Sequence, residues 1–466
     1  MIYLCFFVIL IFSITNALYS DNMKNIKNVA VIFPNKFKGG ISCLAMHILY
    51  HHLNKYRDID CKMFFIENYQ EIKNYDSIII TLQYENDYFN VVKIIKDLKA
   101  KNPNAIFIGG GPCAISNPFP LSKFFDAFVV GEIEGTEVMY NLITRNFDWI
   151  KEGVHFPNRE GKIKRIYPKK LTIEDYPINQ ITHESGAYGK AFLLEIGRGC
   201  PRRCKFCMAR SIYHPPRFRK LDDLIYLVDK GLKYTKVNKV ALIAPSVGDY
   251  KHILDLCQYL NEKEVQISPS SLRADTITDE LLSLLKLKTL TIAPEAGSER
   301  LREVIKKDIT EEDILNAVEL AKEHGIDKIK LYFMVGIVDE GKEDIEEIIK
   351  LTKRIKENIR KVEISINPMI PKPRTPFERE SFDLTAKNKI KYIEKNLKKI
   401  GVGVESENFN SMICQCILCR GGEELGNILE NSEKPIRLIK NIKNLGLLDE
   451  YLGRIEGELP WDRIEL

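Results

Sequence analysis

The stretch GRGCPRRCKFC, residues 197–207, decides the fold of this chain. It places Cys200, Cys204 and Cys207 in a C-x3-C-x2-C loop directly after the apolar run Phe192–Ile196, which predicts a buried strand. Three thiolates on one tight loop can bind three irons of a [4Fe–4S] cluster and leave the fourth iron without a protein ligand. The spacing therefore predicts an iron–sulfur site at the end of a strand.

Zinc is the alternative ligand for these cysteines, with His214 completing a Cys3His site. Zinc knuckles favour paired C-x2-C units, and His214 lies in a Pro-rich stretch only seven residues after Cys207. The spacing therefore favours the cluster. The open iron of such a cluster can chelate the amine and carboxylate of S-adenosylmethionine, and an electron then cleaves the sulfonium to give a 5′-deoxyadenosyl radical. That chemistry belongs to the cofactor, which the protein positions.

Strands and helices alternate on both sides of the cysteine loop, which predicts an α/β fold. Over residues 186–383 six β/α units predict a partial (β/α)6 TIM-type barrel, whose active site forms at the carboxyl ends of the strands. Its strand candidates are Phe192–Ile196, Val240–Ile243, Val265–Ser268, Leu290–Ile292, Ile329–Phe333 and Val362–Ile366.

An earlier series of apolar runs predicts a Rossmann-like parallel sheet domain over residues 23–150. Residues 151–185 are polar and strand-poor and are predicted to be a linker. Residues 384–466 are predicted to be a mainly helical C-terminal region. The strand candidates of the first domain are Val29–Phe33, Ser77–Thr81, Ala105–Gly109 and Ala127–Val130.

Composition excludes several classes of protein. The 466 residues suggest about three domains. The formal charge of +5 arises from 69 basic and 64 acidic residues, which is too even to indicate a nucleic-acid partner. Eleven cysteines are too few for a secreted disulfide scaffold, and their grouping indicates a reducing compartment such as the cytoplasm.

The first residues bear on that location. Residues 1–22 contain an apolar run, Ile2–Ile14, without a preceding Lys or Arg, so they lack the basic segment of a signal peptide. We interpret them as a leader created by an over-called start codon, with the working protein beginning at Met23. The alternative is a membrane tether formed by residues 2–17, with the body held in the cytoplasm.

The motifs of this chain resemble those of a known superfamily. FLLEIGRGCPRRCKFCMAR, residues 192–210, resembles the signature of the radical S-adenosylmethionine superfamily. The segment Ile108–Gly135, with its Gly-rich turn, Asn-Pro and Gly-Glu-x-Glu, resembles the N-terminal cobalamin-binding-type domain of one subgroup. The resemblance implies anaerobic work on an unknown substrate, with a [4Fe–4S] cluster, S-adenosylmethionine and an electron donor such as ferredoxin or flavodoxin.

The resemblance also implies which side chains contact S-adenosylmethionine. Glu295, in APEAGSER, matches the carboxylate that faces the ribose at the fourth barrel strand, and we favour this role over that of an ordinary strand-end acid that caps the following helix. The family's Gly-Gly-Glu after the second strand is replaced by APSVGDY, so Ser246 or Asp249 is expected to bind the methionyl amine. The other cofactor-binding residues implied are Phe206, Arg273, Ser298 and Gly336.

Cobalamin binding is left open by the sequence. Cobalamin domains with a histidine ligand carry D-x-H-x-x-G after the first strand, whereas this chain has PNKFKGG at Pro34–Gly40. Gly109–Gly111 could still let a nucleotide tail or phosphate approach the sheet edge. A domain that is only structural or docks the substrate is the alternative to cobalamin.

A second group of cysteines, Cys414, Cys416 and Cys419, lies in MICQCILCRGG. The group predicts either an auxiliary iron–sulfur cluster or three small apolar residues of a buried helix. On an ideal helix Cys416 and Cys419 share a face and Cys414 does not, so ligation by all three requires a broken helix.

Three functions remain open at this stage. The first is a radical enzyme, with methyl transfer if cobalamin is bound. The second is a methylthio-type modifier of RNA or protein that uses the second cysteine group, although the C-terminus has no basic, aromatic-interleaved RNA module. The third is a non-enzymatic iron–sulfur redox sensor.

Overall fold

A computed structural model describes residues 26–466 of the chain. The leader predicted for residues 1–22 lies outside the described residues. Among residues 26–466, no helix combines the length and the apolar character needed to cross a membrane.

The N-terminal domain is built on a six-stranded sheet with strand order β2-β1-β3-β4-β5-β6. Strands β1 to β5 are parallel, and β6 runs antiparallel to β5. All four strands predicted for this sheet are confirmed, whereas β2 was missed. The strands are β1 (Lys27–Phe33), β2 (Ile59–Phe65), β3 (Ser77–Thr81), β4 (Ile106–Gly110), β5 (Ala127–Val129) and β6 (Val154–His155).

Both faces of this sheet are buried, because successive side chains of a strand point to opposite faces. Val29 and Val31 pack with the helix Leu44–Leu53 in one cluster, and Ala30 and Ile32 pack with the helix Tyr88–Lys99 in another. The domain is therefore a three-layer helix–sheet–helix sandwich, with its strands ending at one shared edge. Its shorter helices are Phe37–Gly40, Pro112–Ser116 and Val138–Ile143.

The second domain is a partial barrel of parallel strands in two sheets, β12-β11-β8 and β13-β14-β15-β16. The predicted (β/α)6 architecture is confirmed, and the short strand β16 adds a seventh strand beside the sixth. The barrel strands are β8 (Phe192–Glu195), β11 (Lys239–Ile243), β12 (Gln266–Pro269), β13 (Leu290–Glu295), β14 (Lys328–Val335), β15 (Lys361–Pro368) and β16 (Gly403–Glu405).

Helices cover the outside of this barrel and bury an aliphatic core against it. Because the helix Ala386–Lys398 and Val402 belong to that core, the barrel extends to β16 rather than ending at residue 383. The other barrel helices are Ala209–Ile212, Leu221–Thr235, Ile253–Glu262, Asp279–Leu285, Glu299–Val304, Glu311–Glu323 and Lys342–Asn358.

The C-terminal helices do not form a separate layer on the barrel. They pack on the N-terminal sheet, where Met412, Ile417 and Leu438 share one core with Ile78 and Ile80. These helices are Phe409–Arg420, Leu425–Glu430, Pro435–Asn444 and Leu448–Leu452.

The predicted linker contributes two short strands. Strand β6 closes the edge of the N-terminal sheet, and β7 (Ile163–Lys164) pairs in parallel with β17 (Ile464–Glu465) near the C-terminus. Trp461 is fully buried beside this pair. Residues 151–185 therefore connect the domains and also complete both the N-terminal sheet and the packing of the C-terminal segment.

Candidate functional site

The loop Gly197–Cys207, named here the cluster loop, follows β8 at the carboxyl end of the barrel. Its first two residues form β9 (Gly197–Arg198), which pairs antiparallel with β10 (Arg217–Phe218). Gly199 has a φ of +80°, and a Cβ there would lie 2.3 Å from the carbonyl oxygen of Tyr213, so only glycine fits. These restraints fix the backbone directly before the first cysteine.

The three cysteines of the cluster loop are free thiols that are partly exposed. Burial raises the pKa of the Cys204 and Cys207 thiols, and Lys307 and Arg273 oppose that effect at Cys204. Within residues 26–466, no three His, Cys, Asp or Glu side chains converge on a point where a single metal ion would be held. A [4Fe–4S] cluster would take one thiolate on each of three irons rather than all three on one ion.

Arg202 ties the cluster loop to the barrel. Its Nε donates to Asp249 and its Nη1 donates to Asp275, each over 3.0 Å. Arg273 also donates to Asp275, over 2.9 Å, and to the carbonyl oxygen of Lys307. Asp249 and Arg273, which were expected to contact the cofactor, are thus already paired within the protein, while Ser246 is buried beside them at the end of β11.

Glu295 ends β13 with a φ of +69°, a left-handed conformation that is costly for a residue with a side chain. Its carboxylate oxygen Oε1 accepts a hydrogen bond from Lys307 Nζ over 3.1 Å. The same Nζ lies 6.0 Å from the ring centre of Phe206 in the cluster loop. The structure therefore brings the predicted residues Glu295 and Phe206 together around one lysine.

The other two predicted contacts have internal roles. Ser298 caps the helix Glu299–Val304 by accepting from the Leu301 amide, and its hydroxyl bonds Asp344. The Gly336 amide donates to Glu340 over 2.7 Å. Gly336 directly follows β14, and Ser298 lies three residues after the end of β13.

Sequence reasoning assigned no role to a network of charged side chains around Arg198. Its guanidinium donates to Glu195 over 2.8 Å, to Glu132 over 2.7 Å and to Glu134 over 2.6 Å. We name these four residues the carboxylate clasp. Two further buried arginines extend it, Arg217 on Glu132 and Arg219 on Glu195.

The charged groups of the clasp are buried and interact strongly with one another. Burial raises the pKa of Glu134, but Arg198, with smaller contributions from a backbone hydrogen bond and Arg219, lowers it, and the net pKa lies below its ordinary value. Glu132 and Glu134 come from the loop after β5, whereas Glu195 ends β8 and Arg198 lies in the cluster loop, so the clasp joins the two domains. The Gly-Glu-x-Glu motif was the available signal, because acids within an apolar stretch need buried partners.

A cavity of about 390 Å³ lies where the carboxyl edge of the N-terminal sheet meets the cluster loop. Gly109–Gly111 form part of its wall on the sheet side, and Arg198 and Gly199 form part on the other. Most of the remaining wall is aliphatic. The amide nitrogen Nε2 of Gln83, at this wall, is buried and has no hydrogen-bond partner among residues 26–466.

The second cysteine group lies on one unbroken helix, Phe409–Arg420, and all three side chains are buried. The thiols of Cys414 and Cys416 contact different segments, because Cys414 contacts the carbonyl oxygen of Pro435 and Cys416 that of Tyr451. The Cys419 thiol contacts the carbonyl oxygen of Cys416, one turn earlier in the same helix. The structure does not bring these thiols together, and it favours the packing alternative over an auxiliary cluster.

Comparisons with known proteins agree with this geometry. The model of the radical SAM superfamily matches residues 194–352, and that of radical SAM proteins, N-terminal, matches residues 46–167. The uncharacterized protein MJ0966 of Methanocaldococcus jannaschii is 66% identical over 445 residues, covering 95% of this chain and all of that protein.

Two solved structures share the fold. TsrM of Kitasatospora setae, a radical S-adenosylmethionine methyltransferase with cobalamin and a [4Fe–4S] cluster bound, has a TM-score of 0.58 at 14% identity, over 76% of this chain and 77% of that one. The cobalamin-dependent S-adenosylmethionine radical enzyme OxsB has a TM-score of 0.53 at 16% identity, over 81% of this chain and 57% of that one. With its cysteine loop, its barrel and these matches, this chain belongs to the radical SAM superfamily and is an enzyme that uses a [4Fe–4S] cluster and S-adenosylmethionine.

Proposed function

We propose that this enzyme is a corrinoid-using methyltransferase, with the corrinoid bound in the cavity between the N-terminal sheet and the cluster loop. The cavity is the observation that carries the proposal, because it places the glycine-lined sheet edge opposite the loop that holds the cluster. TsrM and OxsB, which share the fold, carry cobalamin according to their descriptions. The substrate is not specified by these features.

The residues of the cavity fit such a ligand. Gly110 leaves its part of the wall without a side chain, and a Cβ there would meet no atom nearer than 3.8 Å. The aliphatic wall suits the flat, apolar faces of a corrin ring, and the unpaired Gln83 amide suits one of its peripheral carbonyl groups. Gly109–Gly111 would let the ligand's nucleotide tail approach the backbone.

We propose Cys200, Cys204 and Cys207 as the cluster ligands and Glu295 as the acceptor for the ribose hydroxyls of S-adenosylmethionine. When bound, the cluster supplies the electron that cleaves the sulfonium, and a corrinoid supplies a carrier for the methyl group. Lys307 holds the Glu295 carboxylate in place. Because Asp249 and Arg273 are engaged by other residues, Ser246 and the strand-end backbone remain to bind the methionyl group.

The test is a direct binding measurement with hydroxocobalamin. Gly110→Leu should place a side chain at the cavity wall, where a Cβ has room, so the variant should fold and keep its iron but retain little corrinoid after gel filtration. Gly403→Leu is the matched control, since a Cβ there meets no atom within 4 Å and Gly403 is not part of the cavity wall. Full corrinoid retention by Gly110→Leu, judged by visible absorbance, would refute the proposed site.

The two other functions considered are less well supported. A methylthio-type modifier with an auxiliary cluster needs convergent thiols, and Cys414, Cys416 and Cys419 diverge on their helix. A redox sensor needs no ligand cavity beside its cluster. We also propose a cytoplasmic, oxygen-poor location with a ferredoxin or flavodoxin as electron donor, because ten cysteines of the described part of the chain are free thiols.

A further inference from the structure

We propose that the carboxylate clasp is a positioning device through which Glu132 and Glu134 of the N-terminal domain fix the cluster loop relative to the cavity. The proposal rests on membership of the superfamily and does not require a corrinoid. It assigns these two acids a role in setting the position of the cluster, without contact to S-adenosylmethionine.

The geometry of Arg198 carries the first step. All of its side-chain nitrogens donate to carboxylates: Nε to Glu195, Nη1 to Glu132, and Nη2 to both Glu134 and Glu195. A guanidinium is planar and rigid, so hydrogen bonds on all of its nitrogens fix both its position and its plane. The acids therefore set the orientation of Arg198, and two of them belong to the other domain.

The second step runs along the backbone. Arg198 is two residues before Cys200, and only Gly199 lies between them. Gly199 is confined by the Tyr213 carbonyl oxygen, and Arg198 is also held in the pairing of β9 with β10. A shift of the Arg198 guanidinium is thus passed to the first cluster ligand over a short and restrained path.

Charged side chains, and not apolar ones, occupy the contact between the two domains at the clasp. Burying three acids and three arginines is seldom more stabilising than apolar packing of the same volume. Apolar packing is available elsewhere between these domains, where Leu44 contacts Ala191, Leu193 and Ala241. The clasp lies where the cavity meets the cluster loop, so its directional bonds serve geometry there.

Two variants and two controls test the proposal. Glu134→Gln keeps an acceptor but removes the charge, and Arg198→Lys keeps the charge but removes the fork. Glu137→Gln, in the same loop, and Arg57→Lys are the matched controls, since both residues are exposed and make no side-chain hydrogen bond among residues 26–466. Each reconstituted protein is measured for iron content, for the electron paramagnetic resonance (EPR) spectrum of the reduced cluster with and without S-adenosylmethionine, and for 5′-deoxyadenosine release without substrate.

We expect both clasp variants to keep the full iron complement, to show an altered EPR spectrum with S-adenosylmethionine, and to release 5′-deoxyadenosine roughly ten- to a hundredfold more slowly. The controls should match the native protein. If both variants melt at a lower temperature but keep native spectra and cleavage rates, the clasp only stabilises the contact between the domains, and the proposal is wrong. If Arg198→Lys loses iron, the result for Glu134→Gln decides between the two roles. Iron loss in Glu134→Gln as well would show that the clasp is needed for cluster assembly, and the positioning role would be wrong.

Discussion

Replacing Glu295 with alanine should weaken the binding of S-adenosylmethionine without removing the cluster. Oxygen Oε1 of the carboxylate accepts from Lys307 at 3.1 Å, while Oε2 accepts no hydrogen bond from residues 26–466 and is available to the ribose hydroxyls. A hydrogen bond to a charged group contributes about 1.5–3 kcal/mol. At ~1.4 kcal/mol per decade, the dissociation constant should rise about ten- to a hundredfold.

Lys307 complicates the alanine variant, because its side chain is only 9% exposed and would lose its partner. Glu295→Gln lessens this problem, since its one amide oxygen can still accept from either Lys307 or the ribose, although the amide NH2 then takes the other position. We therefore expect a smaller loss of affinity in Glu295→Gln than in Glu295→Ala. Glu303→Ala is the control, because Glu303 is an exposed acid on the helix that follows Glu295.

The assay is anaerobic calorimetric titration of S-adenosylmethionine into each reconstituted variant, with iron content measured on the same sample. The order of affinities should be native and Glu303→Ala together, then Glu295→Gln, then Glu295→Ala. Native affinity in Glu295→Ala with its iron intact would refute the ribose contact and leave Glu295 as a partner of Lys307 alone.

Three further outcomes follow from the structure. Changing the three cluster-loop cysteines together to alanine should abolish both the brown absorbance and 5′-deoxyadenosine release; a full iron content in that variant would contradict the ligand assignment. Burial between the Phe119 and Phe128 rings lowers the pKa of His155 to about 4, below its unfolded value, so stability should fall by about 3 kcal/mol as the pH drops from 6.5 to 4. The free energy of unfolding of His155→Phe, measured in urea, should not show this fall between pH 6.5 and 4. If it falls as steeply as in the native protein, His155 is not the group responsible. Lys372→Met leaves the buried Glu85 carboxylate without its cation, with only the amide of Gln415 still donating to it, and should cost about 3–5 kcal/mol; adding Glu85→Gln should restore most of the loss, and equal instability of the double variant would argue against the pair.

The sequence predicted the features that depend on local pattern. The C-x3-C-x2-C spacing and the apolar run before it located the cluster loop, and continuous apolar runs located the parallel strands buried on both faces. Strand β2 escaped because IDCKMFF, at the sheet edge, interrupts its apolar residues with Asp60 and Lys62. Edge strands need fewer apolar residues, so their pattern is weaker.

Features that depend on distant partners were not predictable in this way. Nothing local to Asp249 shows that Arg202 already occupies it, and nothing local to Arg273 shows that it donates to the carbonyl oxygen of Lys307. The second cysteine group illustrates the same limit, since one motif can be a ligand set or part of a buried helix. Only the unbroken helix and the diverging contacts of Cys414 and Cys416 distinguish the two.

The core shared by the C-terminal helices and the N-terminal sheet has a consequence for how the chain is made. When the ribosome has synthesised the sheet, which ends at His155, the helix Phe409–Arg420 that covers Ile78 and Ile80 is still about 250 residues from being translated. One face of the nascent sheet therefore has only the helix Tyr88–Lys99 as cover and lacks the C-terminal helices while the barrel emerges, a state in which exposed apolar surface and strands favour aggregation. The barrel, whose core is contiguous in sequence, can complete first. Truncation after Glu405 should consequently spare the barrel and damage the domain at the opposite end of the polypeptide.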